Sequence, residues 1–313
     1  MDRKISNIYD HYRQGKTGRR EFLRKLSLYA GGTATALALL PMLEKNYLKA
    51  SVLRGDGPDR DRGLVNGPLT ETSASPGMAD NDPDLVTGFI EYPGETGDVR
   101  AYLARPKAGK KYPAVIVIHE NRGLQPHIMD VNRRMAREGF LSLAPDALSP
   151  AGGTPEDEDI TQALQMNREL DYDQAVKNFV AAVKYLETHP LSNGNVGCTG
   201  FCWGGAMTNQ VAVNAPSLKA AVPYYGSVPP LERVPDIRAS IMAHYASDDA
   251  RINNGIPAFE EALKKAGKDY RIYIYEDTQH AFNNDTNADR YNPEAAKLAW
   301  ERTVAFFREK LGP

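Results

Sequence analysis

The stretch Gly200-Phe201-Cys202-Trp203-Gly204-Gly205 constrains this chain more than any other. It joins a β-rich run, Asn195 to Thr199, to a helical pattern, Ala206 to Val213. Small residues two before and two after a nucleophile, at a strand-to-helix junction, describe a nucleophile elbow. The turn is sharp, so glycine is needed where backbone crowds around the central residue. That residue is Cys202, which such a turn sets at a helix start, where free N–H groups and the helix dipole favour a thiolate. The alternative is an ordinary buried thiol, because free cysteine packs as a small hydrophobe.

Downstream residues supply partners in a fixed order. The apolar run Ser240 to Tyr245 leads into Ala246-Ser247-Asp248-Asp249, which places an acid just after a strand. Tyr270 to Tyr275 alternates like a strand and runs into Glu276-Asp277-Thr278-Gln279-His280. Nucleophile, acid and histidine therefore fall in one chain order, each at the carboxyl end of a strand, where open α/β sheets build their sites. Neighbouring residues of an extended segment point opposite ways, so only one of Asp248 and Asp249 can face His280. Asp277 and Asp285 flank the histidine on its own side of the site and are weaker acids for the role.

With these residues the chain resembles the dienelactone hydrolases of the α/β-hydrolase superfamily, from about residue 84 to 311. The resemblance is carried by Val117-Ile118-His119-Glu120-Asn121-Arg122-Gly123, Leu143-Ala144-Pro145-Asp146, the elbow, Asp249-Ala250-Arg251-Ile252-Asn253 and His280-Ala281-Phe282. It implies Cys202 as nucleophile, Asp249 as the acid and His280 as general base. Glu120 becomes an additional carboxylate against the thiol, and the backbone N–H groups of Asn121 and Trp203 become an oxyanion hole. It also implies cleavage of an ester or lactone through an acyl-thioester. Enzymes acting on dienelactone itself hold the substrate carboxylate with arginines, one shortly after the histidine. Asn283-Asn284-Asp285 stands there in this chain, which points away from dienelactone as its substrate. A non-hydrolytic member of the same fold, binding a small molecule or sensing oxidants through the thiol, is the alternative function.

Arg122, His127, Tyr225 and Asn284 are placed by their motifs to line a substrate pocket. His119, His189 and His244 read as core or surface histidines. An ionised Glu120 beside Cys202 should raise the thiol pKa by like-charge repulsion and keep the resting enzyme unreactive. No H-E-x-x-H or paired C-x-x-C spacing suggests a metal, and no glycine-rich phosphate fingerprint suggests a nucleotide, so no cofactor is expected. Cys198 and Cys202 are the two cysteines. Four residues of strand span about 13 Å, too far for a disulfide, so both should be free thiols.

The 313 residues carry a net charge of −2, with no overall basic field for nucleic acid. Only the N-terminus is biased. Gly18-Arg19-Arg20-Glu21-Phe22-Leu23-Arg24 resembles a twin-arginine export signal, followed by an apolar run from Leu26 to Leu43. It departs from the usual pattern at Gly18 and Arg24. Residues 1–43 are therefore expected to be a signal or anchor engaging the twin-arginine export machinery, with membrane contact confined to that segment. The expected location is the periplasm, or the cytoplasm if the segment is no signal. Residues 44–83, rich in Gly, Pro and Ser, read as a polar flexible linker.

Residues 84–313 read as one catalytic α/β domain. A hairpin (86–92 and 99–104) opens it. Strands at 114–119, 140–144, 195–200, 218–224, 239–245 and 270–275 follow, with helices at 127–138, 171–188, 204–214, 254–266 and 293–311. This alternation predicts an α/β-hydrolase fold, a mostly parallel sheet flanked by helices. The acidic stretch 152–159 sits where a pocket loop or lid could lie, or is simply solvated.

Overall fold

A computed structural model describes residues 24–25, 82–108, 111–155 and 160–312. The expected export segment and linker lie outside these residues, apart from positions 24–25 and 82–83. So do residues 156–159 of the acidic stretch. No helix among the described residues is long and apolar enough to cross a membrane.

The strands are β1 (Leu85–Gly94), β2 (Gly97–Pro106), β3 (Tyr112–Ile118), β4 (Leu141–Pro145), β5 (Ser192–Phe201), β6 (Ala220–Tyr224), β7 (Ser240–Asp248) and β8 (Tyr270–Gln279). The helices are α1 (Pro126–Arg137), α2 (Ile160–Glu169), α3 (Tyr172–Thr188), α4 (Trp203–Asn214), the single turn α5 (Ala250–Asn253), α6 (Ile256–Lys265) and α7 (Pro293–Leu311). The eight strands form one sheet in the order β1-β2-β4-β3-β5-β6-β7-β8. The β1–β2 and β2–β4 pairs are antiparallel and the rest are parallel. This is the expected mixed, mostly parallel sheet.

Central strands of a parallel sheet are covered on both faces, which explains why β3 is apolar without interruption. All seven of its residues are buried. Ala114, Ile116 and Ile118 pack with Phe179, Val183 and Val211 of α3 and α4. Val115 and Val117 turn to the other face, with Ile128, Val131 and Met135 of α1 and Phe306 and Phe307 of α7. Each such aliphatic side chain contributes about 2 kcal/mol on burial, so the strand anchors two cores at once.

The helix ends follow their sequence signals. Asn292 caps α7 by accepting from the Ala295 N–H, with Pro293 in the first turn. Asp171 does the same for α3 through the Gln174 N–H.

Several elements differ from expectation. The hairpin is longer, because Pro93, Gly94, Gly97 and Asp98 remain paired and only Glu95-Thr96 turn. Strand β8 continues to Gln279, held by pairing of Asp248 with Gln279 beyond a register shift. Helix α2 is absent from the sequence reading; it buries only Ala163 and so lacks a clear apolar face.

Strand order reverses between β3 and β5, since β4 lies on one side of β3 and β5 on the other. Ligands of open α/β sheets bind outside the carboxyl ends at such a point. Register then sets the neighbours. Ile118 pairs with Gly200, which puts Glu120 and Cys202 both two residues beyond one row. Asp248 pairs with Gln279, which puts Asp249 and His280 both one residue beyond another.

Candidate active site

Cys202 sits between β5 and α4 with φ 56° and ψ −112°, in the left-handed region that non-glycine residues avoid. Its N–H is held by the Tyr224 carbonyl at 3.1 Å. The flanking glycines are required by close approach. A Cβ on Gly200 would stand 2.3 Å from the Gly204 carbonyl oxygen. One on Gly204 would stand 2.4 Å from that of His119. Helix α4 can therefore begin directly against β3 and β5, and Cys202 is pushed out at the turn. Strain of this kind costs about 1–3 kcal/mol per residue and persists where surrounding packing over-determines it.

Burial pushes the Cys202 thiol up to about 11, and the Glu120 charge adds to that. The Trp203 N–H bonded to the sulfur and the Arg251 charge oppose the rise without cancelling it. The resting Cys202 is thus a protonated thiol at neutral pH. Cys198 is buried on β5, its sulfur 3.8 Å from the Thr208 hydroxyl. Both cysteines are free.

His280 follows β8 directly and lies 2.5 Å through Nδ1 from Asp249 Oδ2. The Asp249 side chain is 6% exposed and that of His280 is 19%. The carboxylate is shielded while the ring keeps an open side. Asp248 is exposed and terminates β7, so alternation along the strand turns Asp249, not Asp248, to the histidine. His280 Nε2 is buried with no hydrogen-bond partner among the described residues.

The Tyr225 ring packs 5.0 Å from that of His280, centroid to centroid. Its hydroxyl is also buried without a partner among the described residues. Burial, then the charges of Glu120 and Cys202, raise the tyrosine's pKa well above its ordinary value, so its O–H stays protonated. Tyr225 (φ 37°) and Ala281 (φ 72°) share the left-handed backbone of Cys202.

Glu120 Oε2 accepts from Asn284 Nδ2 at 3.1 Å. The amide's own oxygen accepts from the Thr286 N–H at 3.0 Å and hydroxyl at 2.6 Å, which fixes which end of Asn284 faces the carboxylate. Asn284 is thus held against Glu120. His127 pairs with Asp285, Nδ1 to Oδ1 at 3.2 Å, and Arg134 holds the other carboxylate oxygen at 2.6 Å. Burial pushes the Asp285 carboxyl up, but His127 and Arg134 outweigh it and hold it down to about 2. Asp285 is consumed by helix α1 and is not placed beside His280 as an acid. Arg122 is exposed, and its carbonyl accepts from Gln125 Nε2. The Trp203 indole stacks on His119, centroids 5.4 Å apart.

The sequence reading gave no role to Arg251, although its charge reaches Cys202. It stands two residues after Asp249 in the turn α5, which is the signal that could have found it. A cavity of about 260 Å³ between the Ser149–Ala151 turn, α2 and α3 is lined by Met166, Leu170, Asp171 and Gln174. Its lining includes none of Cys202, Asp249 or His280, so it is separate from this constellation.

The model of the dienelactone hydrolase family matches residues 99–311. A protein of Saccharolobus solfataricus provisionally named a carboxymethylenebutenolidase is 32% identical over 255 residues, covering 70% of this chain and 97% of its own. Protein usf of Aquifex pyrophilus is 35% identical over 232 residues, 71% of this chain and 98% of its own. The crystal structure of a provisionally assigned dienelactone hydrolase from Klebsiella pneumoniae superposes with a TM-score of 0.66 at 31% identity, over 72% of this chain and 99% of that one.

Proposed function

The chain belongs to the dienelactone hydrolase family, and from that premise we propose that it hydrolyses a carboxylic ester or lactone through an acyl-thioester on Cys202. The observation that carries this reading is the contact between His280 Nδ1 and Asp249, which leaves Nε2 buried without a hydrogen-bond partner among the described residues. With the Nδ1–H donating to the carboxylate, Nε2 is the free base.

The steps follow from that tautomer. Substrate carbonyl enters over Cys202, the thiol proton passes to His280 Nε2, and sulfur bonds to the acyl carbon. The oxyanion is held by the N–H groups of Asn121 and Trp203, each worth about 3 kcal/mol in such a role. His280 returns the proton to the leaving oxygen as the C–O bond breaks. Water then attacks the thioester with His280 as base, releasing the acid and restoring the thiol. Glu120 is a second acceptor for the thiol proton and, at rest, the charge that helps keep sulfur protonated. Asn284, a neutral amide, holds that carboxylate, which favours a substrate without a carboxylate at this position.

The test is intact mass during turnover of a small activated ester, for wild type and Cys202→Ala. A transient acyl adduct on wild type alone, with turnover lost in the variant, supports the reading. A Cys202→Ala protein with undiminished turnover would sink it. As a separate reading, residues 1–43 direct export by the twin-arginine route. Fusion of that segment to a reporter, with Arg19 and Arg20 changed to lysine as control, checks it by cell fractionation.

A further inference from the structure

His119 follows β3 and is fully buried. Its Nε2 lies 3.0 Å from the Ala147 amide nitrogen. A backbone N–H can only donate, so Nε2 is the bare nitrogen of the ring. The proton is therefore on Nδ1, which donates to the Glu120 carbonyl at 2.6 Å. Burial holds the ring neutral against the nearby Asp146 charge and the Glu120 bond, so this one tautomer persists.

The gripped carbonyl belongs to the peptide that joins Glu120 to Asn121. A trans peptide is planar, with its C=O and N–H pointing in opposite directions. A donor locked onto the carbonyl therefore sets the direction of the Asn121 N–H. It also polarises that N–H as a donor, since linked hydrogen bonds strengthen one another. The same ring stacks on Trp203, interplanar angle 11°, the residue whose N–H is the second donor.

The far side of His119 is equally determined. Asp146, beside Ala147, accepts from the Leu148 N–H at 3.0 Å, the Thr154 N–H at 2.7 Å and the Thr154 hydroxyl at 2.8 Å. That hydroxyl in turn accepts from the Leu124 N–H at 2.8 Å. The loop carrying Asn121 is thus tied to the segment after β4 at two points, His119 and Leu124.

We propose that His119 is a positioning residue for acyl transfer. Its Nδ1–H turns the Glu120–Asn121 peptide so that the Asn121 N–H faces the developing oxyanion, and its ring keeps that donor aligned with the N–H of Trp203. The proposal rests on the reading of those two N–H groups as the oxyanion hole.

The test compares full-length wild type, His119→Leu and His119→Asn in three measurements. The first is kcat and KM for 4-nitrophenyl acetate. The second is the rate at which iodoacetamide alkylates Cys202, a displacement at saturated carbon that develops no oxyanion. The third is the structure around the Asn121 peptide, with the His119 tautomer read by ¹⁵N NMR in wild type. The leucine variant should lose about 10- to 100-fold in kcat, a fraction of the loss from deleting an oxyanion donor. Its KM and alkylation rate should stay within about two-fold, and its Asn121 peptide should rotate. The asparagine amide can still donate to the Glu120 carbonyl and should recover most of kcat.

Undiminished kcat in His119→Leu, an unmoved Asn121 peptide, or a wild-type proton on Nε2 would each overturn the proposal. So would a parallel fall of kcat and alkylation that asparagine does not rescue, because that marks collapse of the elbow. If wild type lacks esterase activity while the tautomer and the peptide rotation are as described, the hydrolase reading fails and takes the acyl-transfer role of His119 with it, leaving only its hold on the direction of the Asn121 N–H.

Discussion

His244 lies in β7 and His280 directly follows the neighbouring strand β8, and the two are treated in opposite ways. His244, inside β7, has both nitrogens engaged. Tyr275 donates to Nδ1 at 2.9 Å, and Nε2–H donates to the Thr303 hydroxyl at 3.1 Å. That hydroxyl also accepts from the Tyr224 O–H at 2.6 Å and donates to the Ala299 carbonyl, while Arg302 donates to Tyr275 at 3.1 Å. Both nitrogens of His244 and every hydroxyl proton in the cluster are used. His280 has one nitrogen engaged and one open. None of Tyr224, His244, Tyr275 and Thr303 has positive φ, whereas Cys202, Tyr225 and Ala281 do. A satisfied polar network stabilises a core and leaves nothing to react with. A reactive site keeps a valence free, and strained backbone around it is the mark of that arrangement.

The largest test of this contrast is His280→Ala. It should lower kcat for an activated ester by about 10⁴-fold or more and barely move the melting temperature, because the ring has an open side. A variant keeping a tenth of wild-type turnover would remove His280 from the base role.

Next in size, Asp249→Asn should lower kcat by about 10³- to 10⁴-fold through loss of the tautomer. Asp248→Asn, at an exposed position, should stay within about two-fold. Similar losses in steady-state assays of the two variants would mean that the acid is shared, and the single-partner picture of His280 would break.

Third, His244→Phe should cost about 2–4 kcal/mol in urea unfolding, because Thr303 and Tyr275 lose their partner, with turnover changed only a few-fold. Burial, helped by the Arg302 charge, holds the His244 pKa down to about 3. An unfolded histidine titrates near 6.5, so between these values the unfolded chain binds the extra proton. Stability from His244 is therefore complete above about pH 6.5 and drains away as pH falls toward 3. His119, also depressed by burial, acts in the same direction. Unfolding measured from pH 7 to 4 should show a shallower slope in His244→Phe than in wild type. An unchanged slope would mean that the buried ring is not a source of the acid sensitivity.

The smallest effect concerns Glu120. Its charge is the second contribution to the raised thiol pKa, after burial, so Glu120→Gln should lower that pKa by about one unit. The midpoint of Cys202 alkylation against pH reads it directly. A midpoint that stays near 11 would leave burial and the Asp249 charge as the brake on the resting thiol.

Much of this site was legible before any coordinates. Cys202, Asp249 and His280 stand in order because each motif follows a recognisable strand, and a strand end is a local pattern of apolar residues and turn signals. Alternation let only one of Asp248 and Asp249 face His280, and the family resemblance chose Asp249. The ends of elements were less legible: Pro93, Gly94 and Gly97 read as turn, yet the β1–β2 register carries them. Helix α2 was invisible because a surface helix that buries one alanine leaves almost no periodic trace. Asn284 and His127 were recognised as near the site, but not that one would hold Glu120 and the other Asp285. Those partners come from segments more than 150 residues apart, and no window along the chain contains both.

The sequence by itself determined the α/β-hydrolase fold, the dienelactone hydrolase family and the chain order of the candidate nucleophile, acid and base. Periodicity, turn residues and short motifs are local, and they survive in one dimension. Only the tertiary structure decided which nitrogen of His280 is open, that Glu120 is held by a neutral amide, and that burial, more than the Glu120 charge, keeps the Cys202 thiol protonated. It also separated His119 and His244, which read alike as core histidines, into one that grips the peptide of Asn121 and one sealed among hydroxyls. Proton positions depend on burial and on hydrogen-bond partners, and both are set by the register of distant strands.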